Sequence, residues 1–310
     1  MEWASPPVPL AGGFWAEMYV VELDDAPAEL DGRLVARIMP DPATAAFETA
    51  VQRHLNRCGF PVPAIRCAGG PSVDLDRAWS VMDFARGQPM LVGLSAGSAI
   101  RQAPILLRRL PDLLAEATAA LHKSPLDGLH LELAGQARRP DIEHFLERIA
   151  AQATSIGRQD LAGTAELLAA AQGGERVICH GDLHPFNMLV DGDEWTLIDW
   201  ATAVVTDPHY DLAFTTLMLA NPPLGGPSAV RAATRVIGTR IANRFLRSYE
   251  QHTGRNVDTT RLAWGQRIHA LRALVEIATW DATHTIGAHR GHPWLTMRPT
   301  LEALLSPTPR

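Results

Sequence analysis

The sequence is poor in lysine, cysteine and aromatic residues, and it has no excess of positive charge. Of its 28 basic residues only Lys123 is a lysine, so lysine chemistry must use this residue or be taken over by an arginine. Three cysteines are too few for a disulfide framework or a zinc site, and we expect them to be reduced. A net charge of -6 provides no basic field to hold a polyanion, so we expect no nucleic-acid partner.

The sequence also lacks long apolar runs. None reaches the roughly 18 to 20 residues that a transmembrane helix needs. The first residues, MEWASPPVPLAGG, contain neither the basic nor the apolar segment of a secretion signal. We therefore predict a cytoplasmic protein without a membrane partner, either a monomer or a homodimer. Its 310 residues, 46% of them apolar, are enough for a large core and two domains.

The first 85 residues have mainly the pattern of β-strands. Runs rich in β-branched and aromatic residues lie at 18–23, 33–38 and 78–82. Between the second and third runs, Asp41 suits the N-cap of a helix and Pro42 its first turn. Apolar residues then recur four apart until Gly59, which is expected to end that helix.

Beyond residue 100 the pattern changes to helices. An apolar stripe from Leu106 to Leu121 predicts a helix kinked at Pro111. Further helices are predicted at 141–154, 160–171, 228–249, 260–283 and 295–305, and a β-like stretch lies at 177–198. We predict an α+β protein in which a small, mainly β N-terminal lobe (1–85) is hinged near residues 83–87 to a larger helical lobe (86–310), with a cleft between them.

The most informative segment is VICHGDLHPFNMLVDGDEWTLIDWATAVVTDPHYDL, at 177–212. Two apolar strands flank a turn at 191–193, which predicts a hairpin. In a hairpin, the residue before the first strand lies beside the residue after the second. Asn187 and Asp199 are therefore expected to converge, and Asp182 on the incoming loop can face the same point.

Such an arrangement suits phosphoryl transfer, which depends on screened phosphates and an oriented hydroxyl rather than on covalent help from the protein. Asp199 and Asn187 offer the hard oxygen ligands that Mg²⁺ prefers. Asp182 can accept the hydroxyl proton or orient the hydroxyl. His180 is expected to brace the loop by hydrogen bonding.

A metal-hydrolase site is an alternative for the same segment. His180 and His184 are four residues apart, and acidic residues or a histidine could complete a zinc or iron site with them: Asp199, Asp207, His209 and Asp211. Two histidines at this spacing share a face only on a helix. Gly181 and Pro185 oppose a helix here, so we favour the phosphoryl-transfer interpretation.

The blocks HGDLHPFN, LIDWATA and DPHYDLA, in this order, resemble the aminoglycoside phosphotransferase family. That family shares the protein-kinase-like fold with choline kinases and macrolide phosphotransferases. The resemblance implies that Asp182 is catalytic and that Asn187 and Asp199 hold Mg²⁺, with ATP or GTP as co-substrate. It further implies that Asp207 and Asp211 are structural, the latter tying the next helix to the catalytic loop.

The N-terminal lobe resembles the family less closely. Gly12 and Gly13 are similar to its phosphate-covering loop, although a plain strand turn fits them as well. Arg37 takes the place of the cation that contacts the α- and β-phosphates, and Glu48 is its implied partner; the alternative is a surface ion pair worth under about 1 kcal/mol. The backbone groups implied to hydrogen-bond the purine are those of Asp83 and Ala85.

The acceptor is expected on the helical lobe near Asp182. Candidate contacts, which could equally be a solvated helix face, are Glu276, Trp280 and Asp281. We predict a small-molecule kinase that transfers the γ-phosphoryl group of ATP or GTP to a hydroxyl of an aminoglycoside-like, macrolide-like or other sugar or metabolite acceptor. The alternative is a nucleotide-binding pseudokinase that serves as a scaffold or sensor.

Overall fold

The computed structural model describes residues 2–10, 16–90, 107–222 and 228–306, so the predicted glycines Gly12 and Gly13 lie outside the described residues. The chain forms two compact units. The N-terminal unit comprises 1–89, 124–139 and 187–203, and the helical unit comprises 90–123, 140–186 and 204–310. The sequence predicts a single boundary near residue 85, whereas two later segments also belong to the N-terminal unit.

The α+β class is confirmed by the order of the elements. The strands of the described residues are β1 (Glu2–Trp3), β2 (Val8–Pro9), β3 (Glu17–Val21), β4 (Leu23–Asp24), β5 (Leu34–Met39), β6 (Ile65–Gly69), β7 (Ala78–Asp83), β8 (Gln88–Pro89), β9 (Val177–Cys179), β10 (Met188–Asp191), β11 (Glu194–Leu197) and β12 (Val204–Thr206). The α-helices are α1 (Pro42–Arg57), α2 (Leu110–His122), α3 (Leu129–Glu132), α4 (Ile142–Ser155), α5 (Gln159–Ala170), α6 (His209–Ala220), α7 (Ser228–Thr253), α8 (Thr259–Ala282) and α9 (Pro293–Leu305). Two 3₁₀ helices span Ala28–Leu30 and Ile286–His289.

The main sheet of the N-terminal unit has five antiparallel strands in the order β2-β3-β5-β7-β6. The strands predicted at 18–23, 33–38 and 78–82 are confirmed as β3, β5 and β7, although β3 ends at Val21. Strand β6 was not predicted, because its sequence IRCAG has no regular alternation of apolar residues. Its pairing with β7 brings it into the sheet.

Helix α1 is confirmed with its predicted N-cap. The Asp41 carboxylate accepts a hydrogen bond from the Ala43 N–H at 3.0 Å, and Pro42 occupies the first turn. The apolar stripe of the helix is fully buried: Phe47, Val51 and Leu55. This burial fixes which face of α1 is turned to the interior of the unit, and therefore where Glu48 points.

The predicted hairpin is also present and belongs to the N-terminal unit. Met188 pairs with Leu197 at its open end and Asp191 pairs with Glu194 beside the turn. Strand β8 adds to the other edge of β10, which makes a three-stranded sheet. The sequence predicts a break at 87–89, because glycine and proline disfavour regular strands.

Gly87 explains how the chain reaches β10 there. Its φ of +94° lies in the region that favours glycine, and a Cβ at this position would lie 2.5 Å from the carbonyl oxygen of Val190. The backbone therefore passes the hairpin at a distance that only glycine permits. Gly87 thus weakens the strand pattern in the sequence, yet it makes the pairing of β8 with β10 possible.

The helices predicted for the helical unit are confirmed as α2, α4, α5, α7, α8 and α9, which begin and end within four residues of their predicted positions; α6 had no predicted bounds. The break predicted at Pro111 is present two residues earlier: residues 107–108 are helical, the helix is interrupted at Arg109, and α2 begins at Leu110 with Pro111 in its first turn, where a missing N–H costs no hydrogen bond. Strand β12 was not predicted and pairs antiparallel with β9. Among the described residues, no helix is both long and apolar enough to cross a bilayer.

Helix α8 forms the centre of the helical core. Its buried positions recur three or four residues apart and pack against residues of α4, α5 and α6. The central members are Trp264, Ile268, Leu271, Val275, Tyr210, Phe214, Leu146 and Leu168. Helix α7 packs on α2 and α6.

His269 is a buried titratable residue on α8. Its ring lies 4.1 Å from the ring of Tyr210 and 5.0 Å from that of Phe214, and its Nε2–H donates to the carbonyl of Tyr210 at 2.9 Å. Burial, reinforced by the charge of Arg272, lowers the pKa of His269 from 6.5 to about 3. The imidazole therefore remains neutral in the folded protein at neutral pH.

This residue predicts a loss of stability in mild acid. Because its folded pKa is depressed, the unfolded chain takes up a proton below pH 6.5 that the folded protein refuses, so stability is complete above that pH and falls as the pH approaches 3. The contribution is at most about 1.4 kcal/mol per pH unit. In urea unfolding between pH 7.5 and 4.5, we expect His269→Gln to flatten this slope. The exposed His252→Gln serves as control, and equal slopes for the wild type and both variants would contradict the assignment.

Candidate active site

A buried ion pair lies at the centre of the N-terminal unit. The Arg37 guanidinium on β5 forms an ion pair with the Glu48 carboxylate on α1, and the two side chains are 12% and 5% exposed. The second arm of Arg37, Nη2, lies 3.4 Å from Oδ1 of Asp199. The surface ion pair considered as an alternative is therefore wrong, because this pair is shielded from water.

The charges around Arg37 keep it protonated. Burial by itself lowers the pKa of Arg37, but the negative charges of Glu48 and Asp199 raise it above its usual value. Glu48 also accepts a hydrogen bond from the Trp200 N–H at 3.2 Å. Strand β5, helix α1 and the segment after β11 are thus held together at one cation.

The end of the hairpin brings together an amide and a carboxylate side chain. The Ile198 N–H donates to the carbonyl of Asn187 at 3.0 Å, so Asn187 and Asp199 lie at the same end of the hairpin, as predicted. Asn187 is buried, whereas the Asp199 side chain is 46% exposed. A carboxylate that solvent reaches, next to an amide, is a donor set that suits a hard divalent cation.

Asp199 has an unusual backbone conformation. Its φ of +68° lies in the left-handed region, which costs a residue with a side chain about 1 to 2 kcal/mol. Aspartate tolerates this region better than most residues. Backbone strain of this kind is concentrated at functional sites, because a required side-chain position outweighs the local cost.

The strand expected to contact the purine is partly committed to the sheet. The N–H of Asp83 donates to the carbonyl of Ala64 at 3.0 Å, and the N–H of Phe84 donates to the carbonyl of Arg33 at 3.1 Å. The N–H of Asp83 is therefore already used in the sheet. The group of the Asp83 backbone that remains to be considered for a purine contact is its carbonyl, which could accept a hydrogen bond. The Asp83 carboxylate pairs with Arg66. Ala85 lies just after the end of β7.

In the helical unit, Asp211 holds the loop that follows β9. Its carboxylate accepts hydrogen bonds from the His180 N–H at 2.8 Å and from the Gly181 N–H at 2.7 Å. His122 contacts the same carboxylate at 3.3 Å and contacts the Tyr249 hydroxyl at 2.8 Å. Burial raises the pKa of Asp211, but the hydrogen bond and charge of His122 lower it below its usual value, so the group remains a carboxylate.

The metal-hydrolase arrangement is not found among the described residues. Within the part of the chain that the structure describes, the one group of three or more histidine, cysteine or carboxylate ligand atoms that lie close enough to share a metal ion consists of His122, Cys179 and Asp211. Burial and the charge of Asp211 raise the pKa of the Cys179 thiol well above its usual value, whereas a metal needs the thiolate. These residues form the hydrogen-bonded support of the loop and include neither His184 nor Asp199.

Asp182 lies on the loop that Asp211 holds, near the imidazole of His184 and the guanidinium of Arg272. Its Oδ2 is 3.7 Å from Nε2 of His184, and its Oδ1 is 3.9 Å from Nη2 of Arg272 on α8. The other arm of Arg272 donates to the carbonyl of Gly181 at 3.1 Å. Arg272 was missed in the sequence, where its one signal is a charged residue inside the buried stretch HALRALVEI.

The three candidate acceptor contacts on α8 differ in their surroundings. Glu276 lies one turn beyond Arg272 and accepts from Nε1–H of Trp294 at 3.0 Å; burial raises the pKa of Glu276. Trp280 is buried, and its ring stacks on the ring of His289 with 4.1 Å between the centroids, so its contacts are those of a packing residue. Asp281 is exposed and lies off the face shared by Glu276 and Trp280. Only Glu276 is thus brought close to the surroundings of Asp182.

Known structures have the same fold. A thermostable mutant of aminoglycoside phosphotransferase APH(4)-Ia, in ternary complex with ADP and hygromycin B, matches with a TM-score of 0.61 at 16% identity, covering 99% of this chain and 96% of that protein. Macrolide 2'-phosphotransferase MphH from Brachybacterium faecium matches with a TM-score of 0.55 at 18% identity, covering 98% and 93%. The fold is therefore the kinase-like α+β fold of small-molecule phosphotransferases.

Sequence comparison identifies the family. The aminoglycoside 3'-phosphotransferase of Streptomyces fradiae is 28% identical over 265 residues, which cover 80% of this chain and 88% of that protein. The sequence model of the phosphotransferase enzyme family, APH, matches residues 8–255. The chain belongs to this family and is a kinase that transfers phosphate to a hydroxyl group, as the resemblance of its three blocks predicts.

The contacts of Asp211 predict that the loop fails without it. Asp211→Ala leaves two buried N–H groups without their acceptor and removes the partner of His122, which should cost about 3 to 5 kcal/mol, as for a broken buried pair. Urea unfolding measures this loss. A matched control is Asp112→Ala, which also removes an aspartate from the first turn of a helix, but from an exposed pair with Arg244. The control should cost under about 1 kcal/mol, and equal losses in the two variants would contradict the bracing role.

Proposed function

We propose that the protein is a Mg²⁺-dependent kinase that uses ATP or GTP to phosphorylate a hydroxyl of a small sugar-like acceptor. The observation that carries this proposal is the buried Arg37–Glu48 pair with Asp199 beside it. A guanidinium fixed by one carboxylate and directed to the end of the hairpin is suited to binding a phosphate chain. Enzymatic phosphate transfer is already a property of the family.

The residues at the hairpin end fit Mg²⁺. Asp199 would hold it through its accessible carboxylate and Asn187 through its amide oxygen. When bound, the ion would neutralise charge on the phosphates. The nearby guanidinium of Arg37 would contact phosphate oxygens directly rather than through the metal. Glu48 would hold the guanidinium in that position.

The remaining nucleotide contacts are proposed from the sequence and from the backbone of Asp83 and Ala85 at the end of β7. The carbonyl of Asp83 would accept from the purine, and the N–H of Ala85 would donate to it. Gly12 and Gly13 would cover the phosphates. The complexes of APH(4)-Ia with ADP and with AMP-PNP support a nucleotide co-substrate, without deciding between ATP and GTP here.

In the helical unit, Asp182 would orient the acceptor hydroxyl and accept its proton. The loop that bears it ends at Phe186 and continues directly into Asn187, so the chain connects the residues for the hydroxyl to those for the metal. His180 and Asp211 would keep this loop in place through the hydrogen bonds of its backbone. Proton transfer by a positioned carboxylate is the chemistry that this half supplies.

The acceptor class follows the relatives. The named activities among them are on aminoglycosides and macrolides, both of which are hydroxylated small molecules. Glu276 is the acceptor contact that the geometry supports best, with Trp280 behind it and Asp281 at the exposed end of α8. A cytoplasmic enzyme that is a monomer or homodimer, acting in antibiotic resistance or in metabolism, accords with this proposal.

A pseudokinase scaffold is disfavoured. Asp182, Asn187 and Asp199 are all present, and a non-catalytic protein has no chemical need for the three together. The strained backbone of Asp199 adds to this argument, since strain without function brings only a cost.

An acceptor screen tests the proposal directly. We expect nucleoside diphosphate release from ATP or GTP to rise in the presence of at least one aminoglycoside, macrolide or amino sugar. Asp182→Asn should lower kcat by about two to four orders of magnitude, the range for a positioned acid or base, with unchanged nucleotide affinity. Tight Mg-nucleotide binding without turnover on any hydroxyl would instead favour the scaffold.

A metal titration tests the hairpin end. Asp199→Asn should raise the Mg²⁺ concentration needed for half-maximal nucleotide binding by at least about tenfold, because a charged ligand is lost. Asp193→Asn, in the exposed turn of the same hairpin, removes an equal charge and should leave the titration unchanged. If calorimetric titrations of the two variants coincide, Asp199 does not hold the metal.

A further inference from the structure

We propose that Arg272 is a positioning residue of the transfer reaction, which holds the Asp182 carboxylate and the backbone before it in one geometry. This inference rests on the proposed function, since it acts through Asp182. Arg272 lies outside the three sequence blocks HGDLHPFN, LIDWATA and DPHYDLA. It comes from α8, 59 residues after Ala213, where the last block ends.

The two arms of the guanidinium contact consecutive residues of the loop. Nη1 donates to the carbonyl of Gly181 at 3.1 Å, and Nη2 lies 3.9 Å from Oδ1 of Asp182. The first contact is a hydrogen bond and the second an ion pair. A planar guanidinium with two arms restrains the direction of the loop and the orientation of the carboxylate at once, which a lysine ammonium cannot do.

The surroundings of Arg272 limit the screening of this ion pair by water. Its side chain is 18% exposed and that of Asp182 23%, so water screens the pair only partly. The neighbouring residues on α8, Leu271 and Ala273, are fully buried in the core, and they hold the helix in place. The cation therefore projects from a rigid element, as a residue that fixes a reacting group should.

Arg272 also acts on a second carboxylate, that of Glu276, which lies one turn away on α8. Burial and, to a smaller extent, the charge of Asp182 raise the pKa of Glu276, whereas the charge of Arg272 lowers it. The guanidinium thus offsets the repulsion between the two carboxylates. Without the guanidinium, Asp182 would turn away from Glu276 and from the position in which it meets the acceptor hydroxyl.

The consequence for catalysis is a loss of orientation. A reacting group misplaced by about 1 Å can lose about 100-fold in rate. Substrate binding depends on other residues, so we expect Arg272→Gln to lower kcat by about this factor and to leave both KM values within about threefold. Arg272→Lys retains the charge without the fork and should recover part of the lost kcat.

A double-mutant cycle distinguishes this role from a general structural one. Arg272→Gln is made in the wild type and in the Asp182→Asn variant, with Arg267→Gln as an exposed charge control on the same helix. If Arg272 acts through the carboxylate, its removal from the Asp182→Asn variant should change kcat by less than about twofold, the scatter of independent effects. The control should change kcat in neither background.

Three outcomes would overturn the proposal. These are equal losses of kcat in both backgrounds, a rise of acceptor KM at constant kcat, and an Arg272→Lys variant no better than Arg272→Gln. Urea unfolding of each variant identifies loss of structure, and if Arg272→Gln is unfolded, the Lys variant in both backgrounds carries the test. A normal kcat for Asp182→Asn alone would instead refute the proposed function of Asp182, so the two failures are distinguishable.

Discussion

The buried guanidinium of Arg37 is the interaction on which the N-terminal unit depends. It joins strand β5, helix α1 and the end of the β10–β11 hairpin through Glu48 and Asp199. A buried ion pair is weak support for stability, because desolvation offsets much of the attraction, whereas removing one partner costs about 3 to 5 kcal/mol. Its retention at this position is better explained by the phosphate chemistry proposed for the hairpin end than by folding.

The helical unit likewise contains a buried charge that its partners stabilise, here a negative one. Asp211 is fully buried and remains ionised because His122 and two backbone N–H groups surround it. Its acceptor oxygens fix the first residues of the loop, and Arg272 then contacts the next ones. A loop with no regular secondary structure is thereby held by several side-chain contacts, as the role proposed for Asp182 requires.

Local patterns predicted the elements whose signals lie within a few residues. Helix α1 follows from an N-cap and a four-residue apolar repeat, and the hairpin follows from two apolar runs around a turn. Strand β6 was missed because its sequence lacks regular alternation, and strands β8 and β12 were missed because they have only two and three residues. Each owes its strand form to pairing with another strand. Pro111 marks the break in the helix predicted at 106–121, but the interruption lies at Arg109, because proline disturbs the turn that precedes it.

The sequence by itself determined the chemical groups of the candidate site: Asp182, Asn187 and Asp199 in a loop and hairpin of fixed spacing. The family resemblance implied the pairing of Arg37 with Glu48, and the structure showed that this pair is buried. Only the tertiary structure decided that Arg272 reaches the loop, that Trp280 is buried, and that the N–H of Asp83 is already used in the sheet. The physical reason is range. Turn preference and hydrophobic period act between neighbours in the chain, whereas burial and the partners of a charge are set by segments that packing brings together.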